Sequence, residues 1–309
     1  MSAESWGNIA KPVSGWVARD NYERWRNIYP WKDNSWMVFW DEMNAVYGMV
    51  WSTTSPNGAP RKCRVVLSVD GIMQDLIEVP DIGTLSSKSV DLDGAFGEKI
   101  TGNMTHYVVA KSERINIELT MMPRWLPIDY TAKHILPALP GAPELHHYQQ
   151  GMTISGAVRL DGKHRKFDGH GFRDRTWGWR SEGTQFVEVC GGGICFHNTD
   201  VTLLKFLLGD GTTKVGGCMQ NDGGQFDIHS ASILYDERCL ASKLVLDIEQ
   251  LGEVELECEG QAAGWWMTFF ERHTPPPVLC EYDMIGRWHS DQFGVGMGCI
   301  GHDVIRRLG

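Results

Sequence analysis

The sequence lacks the features that mark several large functional classes. Its eight cysteines form no C-x-x-C pair, which argues against a disulfide framework and for small buried side chains in a reducing compartment. No stretch approaches the roughly 18 apolar residues that a membrane-spanning helix needs. No block of Lys and Arg offsets the formal charge of −10, so neither a nucleic-acid partner nor an anionic membrane surface is expected.

Signals for targeting and for common catalytic motifs are scarce as well. The segment Met1–Trp16 has no apolar run of the kind found in signal peptides, so we expect a cytoplasmic protein. A G-x-S-x-G nucleophile elbow is absent, which excludes a hydrolase of that type. The triple glycine 191–193 suggests a tight turn, and neither Lys-Ser/Thr nor a helix follows it, so a phosphate loop is not supported.

What the sequence has in quantity is alternation of apolar and polar residues with a period of two, which is typical of β-strands with one buried face. The segments 62–69, 115–121 and 154–160 show it clearly. Asp-Gly pairs directly follow the first and the third of these segments and predict tight hairpin turns. Short helices are expected only at residues 21–27 and 131–135. The sequence therefore predicts an all-β protein.

The most irregular stretch carries five prolines between residues 123 and 143, and proline suits neither a strand centre nor a helix interior. We place a domain junction there. The prediction is an amino-terminal β domain over residues 1–140 and a carboxy-terminal β domain over residues 141–309, each the size of a closed barrel or a sandwich. Thirteen tryptophans, seven of them between Trp6 and Trp51, concentrate aromatic area in the first domain.

The densest polar and aromatic cluster follows the junction. It comprises the run 146–150, HHYQQ, and the run 169–180, GHGFRDRTWGWR. Strand alternation would turn Asp174 to one side and Arg173 to the other. An Asp that points into an apolar, aromatic-rich barrel would have its pKa raised and could donate a proton near neutral pH, whereas a neighbouring arginine would lower that pKa. The alternative is structural: Arg173, Asp174 and Arg180 form a buried ion-pair network that joins the two halves, with Trp177 packed on it.

These residues carry a resemblance to a known family. The run Gly169-x-Gly171-x-Arg173-Asp174-Arg175-Thr176-Trp177-Gly178-x-Arg180, with Gln150 ahead of it, resembles the signature of the hydroxyneurosporene synthase (carotenoid 1,2-hydratase) and AttH-like group. The resemblance implies two lipocalin-like (calycin-type) β-barrel domains. It also implies an apolar isoprenoid, aromatic or polyketide substrate that is handled without a cofactor, as in tocopherol cyclase and the lipocalin-like fungal Diels–Alderases.

The resemblance further implies that Arg173, Asp174, Trp177 and Arg180 lie in or near the site, with Gln150 and His147 on the neighbouring strand. In this family the position of Arg175 is often a His and that of Thr176 often a Ser. Because that His is missing here, the acid would be His170, His147 or Asp174.

Weaker candidates lie further along the chain. Cys190, Cys195 and His197 form C-x4-C-x-H, but no fourth zinc ligand is apparent, so no metal is expected. His197 belongs to an alternating stretch and either points into the second barrel as an acid/base group or is an ordinary surface or core histidine.

The leading hypothesis is a cofactor-independent lyase, hydratase, isomerase or cyclase that uses acid/base catalysis on a hydrophobic terpenoid or aromatic molecule. A hydro-lyase and a carbon–carbon lyase would need the same residues. The catalytic candidates are Asp174, Arg173, His170 and His147. The substrate-binding candidates are Gln150, Trp177, Arg180, Tyr148 and His197. The alternative is a non-catalytic carrier of an apolar ligand, and the sequence leaves open whether the chain is a homo-oligomer.

Overall fold

The computed structural model describes residues 31–54, 62–78, 90–91, 96–100, 105–111, 113–181, 185–268 and 277–307. These residues form antiparallel β-strands joined by turns and short connections, which confirms the predicted all-β fold. The predicted helix at residues 21–27 lies outside the described residues. The predicted helix at 131–135 is wrong: isolated turns occupy that stretch, because so short a segment cannot offset the cost of helix nucleation.

The first part of the chain forms one sheet. Its strands are β1 (Trp31–Asp41), β2 (Val46–Thr54), β3 (Lys62–Val69), β4 (Ile72–Glu78), β5 (Val90–Asp91), β6 (Phe96–Ile100), β7 (His106–Lys111), β8 (Ile115–Pro123), β10 (His146–Leu160) and β11 (Lys163–Trp179), and β9 (Ile128–Asp129) is a short strand between β8 and β10. The order of the sheet is β4-β3-β2-β1-β11-β10-β8-β7-β6-β5. Strand β11 therefore lies between β1 and β10, at the centre of this sheet.

The remaining strands close into a barrel. They are β12 (Glu188–Cys195), β13 (Thr199–Leu207), β14 (Thr213–Asn221), β15 (Gly224–Tyr235), β16 (Ala241–Ile248), β17 (Gly252–Thr268), β18 (Pro277–Ser290) and β19 (Gly294–Arg307). Each pairs with the next along the chain, and β12 pairs with β19 to complete the ring.

The turns follow the sequence signals. Strand β3 begins and ends as predicted, and the pairs Asp70-Gly71 and Asp161-Gly162 both adopt positive φ at each residue. Such paired positive φ angles define the tight hairpin turns that match the twist of the flanking strands. The alternation predicted for residues 115–121 is confirmed by the burial of β8, in which every second side chain is buried.

The triple glycine 191–193 is not the tight turn that the sequence suggests. It lies inside β12, at the seam where β12 meets β19. Gly192 has a φ of +148°, and a Cβ added there would lie 2.0 Å from the carbonyl oxygen of Cys299 on β19. A side chain at this position would push the two strands apart, so glycine is needed for the barrel to close.

The described residues divide into two compact units, and the division differs from the predicted boundary at residue 140. One unit contains the residues up to 127 together with 145–180, and the other contains 128–144 together with 181 onwards. Strands β10 and β11 therefore belong to the first sheet, because β11 pairs with β1. Period-two alternation does not reveal which distant strand a segment will pair with. Within the described residues, no helix has the length and apolar character that a membrane crossing requires.

Candidate functional site

Three neighbouring strands, β1, β11 and β10, carry most of the predicted site residues, and their register assigns each residue to one of two faces. Arg173 is paired with Met37 on β1 and with Gln150 on β10, whereas Asp174 is paired with Trp36 and Gln149. The face of Arg173 also carries the first unit's apolar core, including Met37, Phe39, Met152 and Phe167. We call it the core face, and we call the face of Asp174 the opposite face.

On the core face, Arg173 and Gln150 form a buried pair. Arg173 is 1% exposed and Gln150 is 0% exposed. The amide oxygen of Gln150 accepts hydrogen bonds from Nε of Arg173 at 3.0 Å and from Nη2 at 2.6 Å. The amide nitrogen of Gln150 donates to the backbone carbonyl of Trp125 at 2.7 Å. Both the oxygen and the nitrogen of the Gln150 amide therefore form hydrogen bonds.

Aromatic rings extend this face along the same strands. The indole of Trp177 stacks on His146 with ring centroids 5.0 Å apart and an interplanar angle of 10°. Tyr148 meets the same indole edge-on at 6.3 Å, and the guanidinium carbon of Arg175 lies 5.5 Å from its centroid. Trp177 thus packs between protein side chains on the core face, in line with the stacking and cation–π preferences of indole.

On the opposite face, His147 and Asp174 come together. Nδ1 of His147 lies 2.5 Å from the hydroxyl oxygen of Thr176, and Nε2 lies 4.0 Å from Oδ2 of Asp174. Burial lowers the pKa of His147 to about 3, and the positive charge of Arg180 adds to the shift. The imidazole is therefore neutral near pH 7. The side chain of Asp174 is 19% exposed, against 9% for that of His147, so the carboxylate is the more accessible member of the pair.

Two further groups on the opposite face bear on this pair. Trp36 is the β1 residue directly paired with Asp174, and its buried indole N–H has no hydrogen-bond partner within the described part of the chain. His170 precedes Asp174 by four residues on β11, which is about 13 Å along a strand. Of the two histidines proposed as acids, the structure therefore brings His147, and not His170, to the carboxylate.

The predicted ion-pair network does not form around Arg173. Arg173 and Asp174 point to opposite faces because successive side chains alternate along a strand, and Arg173 donates to Gln150 instead of to a carboxylate. Asp174 also does not point among the residues of the apolar core, as the expectation of a raised pKa assumed, since the core cluster belongs to the other face. The predicted cluster is therefore divided into two sets.

The structure does not bring His197 into this cluster. It is exposed in the turn between β12 and β13, in the second unit, and so does not point into the barrel as the sequence analysis allowed. Cys190 and Cys195 are both buried. Within the described residues, no group of three or more His, Cys, Asp or Glu side chains is arranged to hold a metal ion.

Sequence reasoning missed a second polar cluster, in the second unit. Oε1 of Glu188 lies 3.1 Å from Nε2 of His302 and accepts a hydrogen bond from the hydroxyl of Tyr235 at 3.1 Å. Tyr235 also stacks on His302 at 4.6 Å. Because β12 and β19 meet only at the barrel seam, no local spacing in the sequence connects Glu188 with His302. Nor did the sequence indicate that Trp125 accepts a hydrogen bond from Gln150, since the acceptor is a backbone carbonyl.

Comparison with known proteins gives a family and a fold. The model of the family described as "Domain of unknown function (DUF7064)" matches residues 24–298. No curated protein matches the sequence.

Several solved structures are similar. An AttH-like protein from Nitrosomonas europaea has a TM-score of 0.64 at 13% identity, over 91% of this chain and 94% of that one. CghA, solved with Sch210972, has a TM-score of 0.64 at 12% identity, over 91% and 90%. Kievitone hydratase from Nectria haematococca has a TM-score of 0.53 at 12% identity, over 97% and 94%. The expected resemblance to AttH-like proteins is thus confirmed at the level of fold, whereas the narrower resemblance to carotenoid 1,2-hydratase stays a prediction.

Proposed function

The chain belongs to the DUF7064 family, and we propose that it is a cofactor-independent acid/base enzyme, a lyase, hydratase, isomerase or cyclase, acting on a hydrophobic terpenoid or aromatic molecule. The observation that carries the proposal is the pairing of a buried neutral imidazole, His147, with a partly exposed carboxylate, Asp174. That one solved structure of this fold is named a hydratase is consistent with it. Fold alone assigns no reaction.

The pair suits reactions that add or remove water or shift a double bond. In the loss of water from an alcohol, the hydroxyl oxygen takes up a proton and leaves as water, while the neighbouring carbon gives a proton to a base. Hydration runs the same steps in reverse. Each turnover therefore takes one proton from carbon and gives one to the leaving oxygen.

The geometry suggests a role for each residue. Asp174 is the accessible carboxylate: in the loss of water, its Oδ2 would take the proton from the carbon and then give that proton to the leaving hydroxyl, so that each turnover ends with the carboxylate restored. His147 would take or return that proton at Nε2, 4.0 Å away, a separation that shortens readily when substrate binds. The hydroxyl of Thr176 fixes the orientation of the imidazole at Nδ1, and it can do so in either tautomer because a hydroxyl both donates and accepts. Burial and then the charge of Arg180 disfavour the imidazolium, so His147 is neutral at rest and readily returns a proton that it has taken.

The indole N–H of Trp36 would orient the substrate. It is a buried donor on the face of Asp174 and lacks a protein acceptor in the described part of the chain. A substrate hydroxyl or carbonyl oxygen would satisfy it, since buried donors are rarely left unpaired. The core-face candidates Arg173, Gln150, Tyr148 and Trp177 lie across the sheet and are not part of this proposed acid/base site.

The test is a conversion screen with matched variants. Terpenoids and lignin-type aromatic alcohols are incubated with wild type, Asp174→Asn and Asp168→Asn, and products are measured by mass spectrometry. Asp168 is an exposed carboxylate on the same strand and face, so its variant makes the same chemical change away from His147. We expect Asp174→Asn to lose about 100-fold or more in rate, as for a lost acid/base group, and Asp168→Asn to match wild type.

Two outcomes would contradict the proposal. Full activity of a folded Asp174→Asn would remove the carboxylate from the mechanism. Recovery of an apolar ligand chemically unchanged from purified wild type, with equal affinity in Asp174→Asn and no conversion of any substrate, would favour the carrier function instead.

A further inference from the structure

The core face holds a buried cation whose hydrogen-bonding capacity is only partly used. Nε and Nη2 of Arg173 donate to the amide oxygen of Gln150, but Nη1 is buried and has no hydrogen-bond partner among the residues that the structure describes. An orphaned donor on a side chain that is 1% exposed is rare in native structures and calls for an acceptor that the protein itself does not provide.

The charge of Arg173 is also uncompensated. Within the described part of the chain no carboxylate forms an ion pair with it, and the acceptor it does have, Gln150, is neutral. Burial lowers the pKa of Arg173, and Tyr148 opposes that shift, yet an arginine side chain keeps its proton in proteins. A buried guanidinium without a counter-charge is costly in free energy, so an anion would be favoured beside it.

The acceptors that Arg173 and Gln150 use in the described part of the chain are already taken. Both guanidinium bonds end on the amide oxygen of Gln150, and the amide nitrogen of Gln150 is committed to the carbonyl of Trp125. The indole N–H of Trp125 is itself buried, and it too lacks a hydrogen-bond partner within the described ranges. The hydrogen bonds that this cluster leaves unmade are therefore those of N–H donors, which match a negatively charged oxygen.

The residues beside the cluster are apolar and adaptable. Met37 is the β1 residue directly paired with Arg173, and Met152 is the next residue along the core face after Gln150. Both are buried in the first unit's apolar core. Methionine side chains are unbranched and fill irregular space, so they accommodate an alkyl or aryl group more easily than β-branched side chains do.

We propose that the core face of the first sheet binds a hydrophobic carboxylic acid, whose carboxylate accepts a hydrogen bond from Nη1 of Arg173 and whose apolar body packs among the core-face methionines. This inference goes beyond the proposed function, because the acid/base pair of His147 and Asp174 lies on the opposite face of the same strands. A ligand held at Arg173 is therefore bound at a separate site.

The test compares two probes with the same fluorophore and alkyl chain, of which only one has a charged head group: 11-(dansylamino)undecanoic acid and its methyl ester, titrated by fluorescence at neutral pH. A charge-assisted hydrogen bond to Arg173 predicts that the full-length wild type binds the acid roughly 10- to 100-fold more tightly than the ester. In Arg173→Met we expect the acid and the ester to bind equally.

A second variant keeps the proposal testable if Arg173→Met does not fold. Gln150→Glu places a carboxylate where the amide oxygen now accepts from Nε and Nη2, so Arg173 gains an internal counter-charge, which offsets the loss of the hydrogen bond from the amide nitrogen to the carbonyl of Trp125. We expect this variant to fold and to lose its preference for the acid. Gln225→Glu makes the same chemical change at an exposed position in the second unit and should bind both probes as wild type does.

These experiments distinguish a failure of the ligand-binding proposal from a failure of the proposed acid/base function. Asp174→Asn should bind the acid with wild-type affinity whether or not it retains catalysis. Equal binding of acid and ester by wild type would overturn the proposal and leave water as the partner of Nη1. An acid preference that survives Gln150→Glu but disappears in Asp174→Asn would overturn it as well, since the carboxylate would then lie on the opposite face.

Discussion

The two faces of strands β1, β10 and β11 bury polar groups in different ways. On the core face, Arg173 keeps its charge and is held by a neutral amide, Gln150. On the opposite face, His147 gives up its charge, since burial and Arg180 lower its pKa to about 3, and it lies near a carboxylate that retains some exposure. Arginine is too basic to neutralise, whereas histidine neutralises readily, so burial yields a persistent cation on one face and a neutral base on the other.

The difference shows that neighbours in sequence need not share a function. Arg173 and Asp174 are adjacent, yet each belongs to a set of residues on its own side of the sheet, with partners on β10 that are themselves adjacent, Gln150 and Gln149. Substitutions that alter one face only can therefore test whether the two sets are independent.

The largest effect is expected where a buried charge loses its acceptor. Gln150→Leu removes the one acceptor that the described residues provide for the buried guanidinium of Arg173, and we expect it to lower the free energy of unfolding by about 3–5 kcal/mol, as when one partner of a buried charged pair is removed. Gln149→Leu, the same change on the opposite face, should cost only about 1 kcal/mol. Urea unfolding followed by tryptophan fluorescence measures both. Equal losses in the two variants would contradict the contrast between the faces.

A smaller effect is expected from the pH dependence of stability. The pKa of His147 is about 3 in the folded protein and near 6.5 in an unfolded chain, so below pH 6.5 the unfolded state binds the extra proton. The stabilisation is complete above pH 6.5 and is lost as the pH falls towards 3, and we expect the contribution of His147 to decline by about 2 kcal/mol between pH 7 and pH 5.

The measurement is urea unfolding at pH 7 and at pH 5. His147→Asn should flatten the difference between the two values, whereas His164→Asn, at an exposed position near the start of β11, should keep it. An unchanged difference in His147→Asn would mean that other groups cause the acid sensitivity.

The smallest effect is expected at Thr176. Thr176→Val removes the hydroxyl that contacts Nδ1 of His147 while keeping the volume of the side chain, and we expect a loss of about 1 kcal/mol in the free energy of unfolding, the typical net value of one hydrogen bond. Thr176→Ser retains the hydroxyl and should restore the imidazole contact, which the nitrogen chemical shifts of His147 would report. If the valine variant shows wild-type shifts, Thr176 does not fix the imidazole.

Much of the fold follows from local rules that the sequence displays. The alternation of residues 115–121 and the Asp-Gly turns gave strands and hairpins close to their observed positions, because both depend only on neighbouring residues. The pairing of β11 with β1 does not follow from local rules, because it joins segments more than a hundred residues apart. For this reason the predicted boundary at residue 140 differs from the observed units.

The candidate site was predicted in part. Alternation along β11 correctly separated Arg173 from Asp174, and the family resemblance correctly implied that Gln150 and His147 lie on the neighbouring strand. Choosing His147 over His170 required the register of β10 against β11. The acceptor carbonyl of Trp125 could not be predicted from residue type, because every residue has a backbone carbonyl. Contacts that depend on strand register or on backbone atoms cannot be predicted from composition and spacing.

The seam of the second barrel has a consequence for how that unit folds. All its other pairings join strands that follow one another along the chain, but Gly192 of β12 meets Ile300 of β19. Hairpins between consecutive strands form early because their loops are short, whereas the seam must wait for both ends of the whole array. During synthesis, strands β12 to β18 therefore emerge as an open sheet with its apolar face uncovered. Until β19 has left the ribosome, that face is exposed to other chains, which makes the unfinished barrel prone to aggregation.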